Sequence, residues 1–297
     1  MTPTVRTRTV LANDLEFGIL EAGAGPLALC LHGFPDSAQT WRYLLPELAE
    51  AGFHAVAPFM RGYAPTGIPA DEAYQIAALA ADATALHEVL GGDADAVLIG
   101  HDWGAETAYC AAAHAPRRWR RLVTLAVPPA GLDAELFSDY EQLKKFFYVF
   151  MFRDPLRFAE GVVAAEGLSF IDKLWRDWSP GFEPGEHLSL VKQSLREPAN
   201  LAAAIGYYRA VGVAPPAGKY AEEEQALRRQ PPQPTLYLHG SADGCIGVDL
   251  ARGAERLLAP SSRMIVIERA GHFLHLEQPA EVHAHILAWI SAESSTA

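Results

Sequence analysis

Gly100-His101-Asp102-Trp103-Gly104 puts a carboxylate where this motif ordinarily carries a hydroxyl nucleophile. The apolar run Ala96-Val97-Leu98-Ile99 leads into Gly100, and an Ala-rich, helix-forming segment follows Gly104. Such a pattern predicts a strand, a tight turn and a helix, with the middle residue raised off the sheet and glycines permitting the turn. A serine in that place would attack acyl carbon. A carboxylate doing so would give a high-energy anhydride, whereas its attack on sp³ carbon gives an ordinary ester. Asp102 therefore points to epoxide opening or halide displacement.

Such a nucleophile needs a base, an orienting acid, an oxyanion hole and an acid for the departing group. His272, in Gly271-His272-Phe273 after the last predicted strand, can activate water against the ester. Asp243, directly after the seventh predicted strand, can orient that histidine; Asp249, in the following predicted helix, competes for the role. The chain order Asp102, Asp243, His272 is nucleophile, acid, base. Backbone N–H groups of Phe34, in His32-Gly33-Phe34-Pro35, and of Trp103 can form the oxyanion hole. Phe34 can also simply wall a pocket. For the departing oxygen, a phenol can donate a proton, and Tyr148, Tyr207 and Tyr208 are available. Aromatics at helical spacing usually pack, so composition alone reads these three as core.

The elements that must position these groups alternate between short β-rich and longer helical runs, the pattern of a mostly parallel α/β sheet. Eight strands are predicted near 4–11, 16–21, 27–31, 54–58, 96–100, 122–126, 235–239 and 264–268, the first two forming a hairpin across Ala12-Asn13-Asp14. Helices are predicted at 41–51, 73–90, 105–115, 248–258 and 280–291. The alternation stops between residues 132 and 230, which are helical in composition and rich in aromatics. Two copies of Pro-Pro-Ala-Gly, at 128–131 and 215–218, read as the stalks of an inserted helical cap. The expected organisation is a core of 1–131 and 231–297 with a cap of 132–230.

Half of the 297 residues are apolar, enough for one large core. A net charge of −12 without a basic run argues against nucleic acid as a partner. Cys30, Cys110 and Cys245 form no CxxC pair and read as free buried thiols. With neither a signal-like nor a membrane-spanning apolar run, a soluble cytoplasmic protein is expected. His32, His101, His239 and His275 crowd the same sheet edge, but their spacing suits no metal, and the chemistry requires no cofactor. Trp175 and Trp178 read as cap core, and Arg61-Gly62-Tyr63 as a structural turn.

The chain resembles the epoxide hydrolases of the α/β-hydrolase fold from His32-Gly33-Phe34-Pro35 to His272. That family carries the same His-Gly-Phe-Pro motif, the same Gly-His-Asp-Trp-Gly-Ala elbow at 100–105, and two cap tyrosines that activate the ring oxygen. Tyr148, with Phe152 and Asp154-Pro155 after it, is similar to the first; Tyr208, between Tyr207 and Arg209, is similar to the second. The resemblance thus implies an epoxide as substrate; Phe146, Phe147, Phe150 and the cap tryptophans suggest an apolar pocket, hence a small apolar epoxide, and a homodimer stays open. Leu156 departs from the family's glycine, and adjacent tyrosines leave a one-residue ambiguity. A haloalkane dehalogenase is the competing reading, with Trp103 and Trp175 as halide donors, but Phe34 offers no side-chain donor there. A fluoroacetate-type enzyme would want Arg in place of Trp103. A binding protein that has lost turnover is the reading from another class.

Overall fold

The computed structural model describes residues 3–215 and 218–292; Pro216 and Ala217 of the second Pro-Pro-Ala-Gly lie outside the described residues. Strands β1 (Arg6–Ala12) and β2 (Leu15–Gly23) form the expected hairpin. Asn13 and Asp14 between them have φ of 46° and 58°, the left-handed pair that matches a turn to strand twist. The other strands are β3 (Leu27–Leu31), β4 (His54–Pro58), β5 (Val97–His101), β6 (Arg121–Leu125), β7 (Thr235–Gly240) and β8 (Arg263–Ile267). They join in one sheet of order β1-β2-β4-β3-β5-β6-β7-β8, in which β2 runs against its neighbours and the pairs from β4 to β8 are parallel. Every residue of β3, β5 and β6 is buried, as a sheet covered on both faces requires, whereas β8 is a partly exposed edge. This is the α/β architecture expected from the alternation.

Helices α1 (Leu44–Glu50), α2 (Ile76–Val89) and α3 (Trp103–His114) flank the first six strands. The helix expected from residue 41 starts later, after a 3₁₀ turn at Ala38–Trp41. Pro46 is the reason: lacking an N–H, it fits only a first turn, which places the start at Leu44. Between β6 and β7 lie α4 (Asp133–Leu136), α5 (Tyr140–Lys145), α6 (Phe147–Phe152), α7 (Ala159–Trp178), α8 (Glu186–Leu195), α9 (Pro198–Ala210) and α10 (Ala221–Ala226). Helix α7 is broken at residues 165–168, where the backbone leaves the helical region. Helix α10 returns to the core: Glu223 receives the Cys110 thiol on its carbonyl and pairs with His114, both on α3.

The C-terminal helices are α11 (Val248–Ala251), α12 (Leu274–Glu277) and α13 (Pro279–Ser291). The predicted helix 248–258 is instead α11 followed by a 3₁₀ turn at Arg252–Leu257, consistent with the weak helix propensity of Gly253. The Arg61 turn is tied down by a two-pronged ion pair to Asp82, both side chains buried, so it is structural as expected. No helix among the described residues is long and apolar enough to cross a membrane.

Candidate active site

Asp102 sits at the junction of β5 and α3 with φ 53° and ψ −120°, a strained backbone for a residue with a side chain. Its own N–H donates to the Leu125 carbonyl at 3.2 Å, fixing the turn against β6. The Phe34 N–H donates to Asp102 Oδ1 at 2.7 Å. Gly33 makes that approach feasible, because a Cβ there would collide with the Asp102 side chain. Trp103 opens α3, so its N–H belongs to the first-turn amides that have no acceptor within the helix. Of the two backbone donors named from the sequence, the Phe34 N–H is the one that reaches Asp102.

His272 follows β8 and is fully buried. Its Nδ1–H donates to Asp243 Oδ2 at 3.0 Å, and its Nε2 lies 3.6 Å from Asp102 Oδ2. Nε2 has no hydrogen-bond partner among the described residues. Asp243 Oδ1 accepts the N–H groups of Cys245 and Ile246, so the acid is held by its own turn. The competitor, Asp249, is exposed and paired with Arg252. Burial disfavours a charged His272, but Asp243 and Asp102 outweigh it and push the imidazole up to about 10. Burial likewise opposes the Asp243 charge, and His272 overcomes it, holding the carboxyl low.

His32 and His101 are buried and tied to backbone groups. Burial drives His32 down to about 4 and His101 to about 3. His32 accepts the Met60 N–H, and His101 donates to the His272 carbonyl at 2.9 Å. Asp36, His101 and His275 form a buried cluster behind the base. The 3.8 Å between Asp36 Oδ2 and His101 Nδ1 is wider than the roughly 3.4 Å between tetrahedral ligands at zinc distance. Burial and the Asp102 charge push Asp36 up to about 8. Sequence reasoning did not single out Asp36, whose only signal was its place after Pro35.

A cavity of about 200 Å³ opens on Asp102, Trp103, Tyr148 and Tyr208, with Phe146, Val149 and Ile246 among its apolar walls. Tyr148 and Tyr208, on α6 and α9, are buried with ring centroids 5.6 Å apart. Burial first, and then nearby groups including Asp102, raise both phenols well above the usual range, so both remain protonated donors. The Tyr208 hydroxyl has no hydrogen-bond partner of normal geometry among the described residues. Tyr207 instead donates to the Arg61 carbonyl at 2.8 Å, which leaves Tyr208 as the tyrosine of this pair that lines the cavity.

Trp175 donates its indole N–H to the Pro35 carbonyl at 2.8 Å and stacks on Phe273, so this donor is unavailable to a halide. Trp178 does more than pack. Its ring meets His272 edge-on, and its carbonyl accepts the N–H groups of both Gly244 and His272 at 3.0 Å. Backbone contacts of this kind leave no trace in residue type, and sequence reasoning missed them.

The family model described as the alpha/beta hydrolase fold matches residues 26–279. Epoxide hydrolase A of Mycobacterium tuberculosis is 29% identical, with 96% of this chain and 97% of that protein covered. Among solved structures, epoxide hydrolase A of Mycobacterium thermoresistibile is 28% identical at a TM-score of 0.78, covering 96% of this chain and 98% of that one. The Bacillus megaterium epoxide hydrolase bound to an inhibitor shares the fold at a TM-score of 0.81 and 24% identity, over 96% of this chain and all of that one.

Proposed function

This chain belongs to the α/β-hydrolase fold family, and from that premise we propose that it hydrolyses a small apolar epoxide to a vicinal diol through an ester on Asp102. The observation that carries the reading is the pair of buried, protonated phenols beside the carboxylate, one with a hydroxyl that has no partner of normal geometry among the described residues. An epoxide oxygen is an acceptor, the partner that two phenol donors call for. Relatives named epoxide hydrolases support the same reading.

Asp102 Oδ2, free of the Phe34 amide, attacks a ring carbon while the ring C–O bond breaks. A proton from Tyr148 or Tyr208 passes to the ring oxygen and leaves a tyrosinate. The ester removes the Asp102 charge that helps keep His272 protonated, so the imidazolium gives up its proton, which returns to the tyrosinate, and the neutral imidazole becomes a base. His272 then takes a proton from water, and the resulting hydroxide attacks the Asp102 carbonyl carbon. Oδ1, now bearing negative charge, stays on the Phe34 N–H group and takes up that of Trp103. Cleavage expels Oδ2 with the product. Of the two water protons, one neutralises the departing alkoxide and the other remains on His272, restoring the resting imidazolium beside Asp102. No step needs a cofactor. Residues 132–230 act as a cap that supplies the acids and apolar walls, with α10 anchoring its end to the core; the protein works in the cytoplasm.

The test is a single turnover of styrene oxide in heavy-oxygen water. The first diol is expected to be unlabelled and Asp102 to carry the label. His272→Gln is expected to accumulate the ester by mass spectrometry, and Asp102→Asn to form neither ester nor diol. Label in the first diol would exclude the ester route.

A further inference from the structure

One buried glutamine joins the catalytic acid's turn to the helices that carry a catalytic tyrosine. Gln142 is 1% exposed on α5, a helix whose neighbouring residues are largely exposed. Its amide N–H donates to the Cys245 carbonyl at 2.7 Å, and its carbonyl accepts the Gly247 N–H at 2.9 Å. Lys145, one turn on, donates to the Asp243 carbonyl at 3.0 Å. All three backbone groups belong to the turn whose Asp243 orients His272. From the same turn the Cys245 thiol reaches the Tyr148 hydroxyl, with sulfur and oxygen 3.4 Å apart. A buried amide with both ends satisfied by one loop fixes register in a way an apolar contact cannot.

Resting on the function proposed above, we propose that Gln142 and Cys245 are positioning residues for Tyr148: Gln142 sets the register of the acid turn against α5 and α6, and the Cys245 thiol donates to the Tyr148 oxygen. In the resting site either atom can carry the shared hydrogen. Once the phenol turns its hydrogen to a bound ring oxygen, the thiol is left as donor to the phenolic oxygen. During ring opening the C–O bond to Asp102 forms, the ring C–O bond breaks and the ring oxygen takes the Tyr148 proton. The thiol keeps its own proton and hydrogen-bonds the new tyrosinate. Cys245 therefore serves ring opening and leaves ester hydrolysis untouched.

Rapid-quench mass spectrometry with styrene oxide separates formation of the Asp102 adduct from its decay. Cys245→Ala is expected to slow formation about fivefold, the size of one hydrogen bond, with decay unchanged within about twofold. Cys245→Ser, a hydroxyl donor, restores formation to within about twofold of wild type. In a Tyr148→Phe background, Cys245→Ala has no further effect, because the two act through one contact. Gln142→Leu slows formation and, because the same turn carries Asp243, slows decay as well; in the Tyr148→Phe background its effect on formation disappears and its effect on decay remains. Wild-type formation in Cys245→Ala, or an equal loss with Tyr148→Phe, overturns the inference. A wild type that yields neither adduct nor diol instead overturns the function on which it rests, and that outcome is read before any variant is made.

Discussion

Asp102→Asn tests the electrostatic logic of the site as well as its nucleophile. His272 Nε2 is 3.6 Å from Asp102 Oδ2, and both groups are buried. At an effective dielectric of about 20, unit charges at that distance attract by about 4.6 kcal/mol, or about 3 pH units. Removing the carboxylate charge should lower His272 from about 10 to a value of about 7. Ester formation removes the same charge, so the variant mimics the electrostatics of the intermediate. The assay is a ¹⁵N-histidine NMR titration from pH 5 to 11, with His272 assigned by its loss in His272→Gln. A wild-type midpoint below 7, or an unchanged midpoint in Asp102→Asn, would refute the argument that the ester itself turns imidazolium into base.

Linkage gives a second outcome. Because His272 is raised when folded, its stabilising contribution is complete below its unfolded value of about 6.5 and is lost as pH rises through about 10. Urea midpoints of the wild type should fall with pH across that window, and those of Asp102→Asn should fall less. Tyr208→Phe should slow adduct formation by about a hundredfold, while Tyr207→Phe should leave it within about twofold and cost about 1 kcal/mol of stability, by rapid quench and urea unfolding. Asp82→Asn, which breaks a buried ion pair, should cost about 3–5 kcal/mol in urea unfolding. Gly33→Ala, whose methyl collides with Asp102, should lower kcat/KM by about a hundredfold in a protein with an unchanged far-UV spectrum.

The sheet was legible because buried parallel strands appear as short apolar runs between helical ones. Asp102, Asp243 and His272 could be singled out because each follows a strand end, and the structure brings all three within reach of one another. The choice between Tyr207 and Tyr208 was not legible. Adjacent helical residues point about 100° apart, and the phase of α9 depends on its packing against Arg61 and Trp103. Gln142 was invisible for another reason: its partners are backbone groups a hundred residues away, and no side-chain pattern records them. The 3₁₀ turn before α1 escaped because the helical periodicity continues through it and only Pro46 marks the boundary.

Trp178 ends α7, and its carbonyl holds the N–H groups of the residues that follow Asp243 and Gly271. A side chain at Gly244 would collide with the Asp177 carbonyl, so chain and insertion meet there backbone to backbone. The helical layer cannot swing away as a rigid door without dragging the base out of line. For the same reason, transplanting this layer onto a related core would misalign the acid–base pair unless the Trp178 seam came with both of its loops.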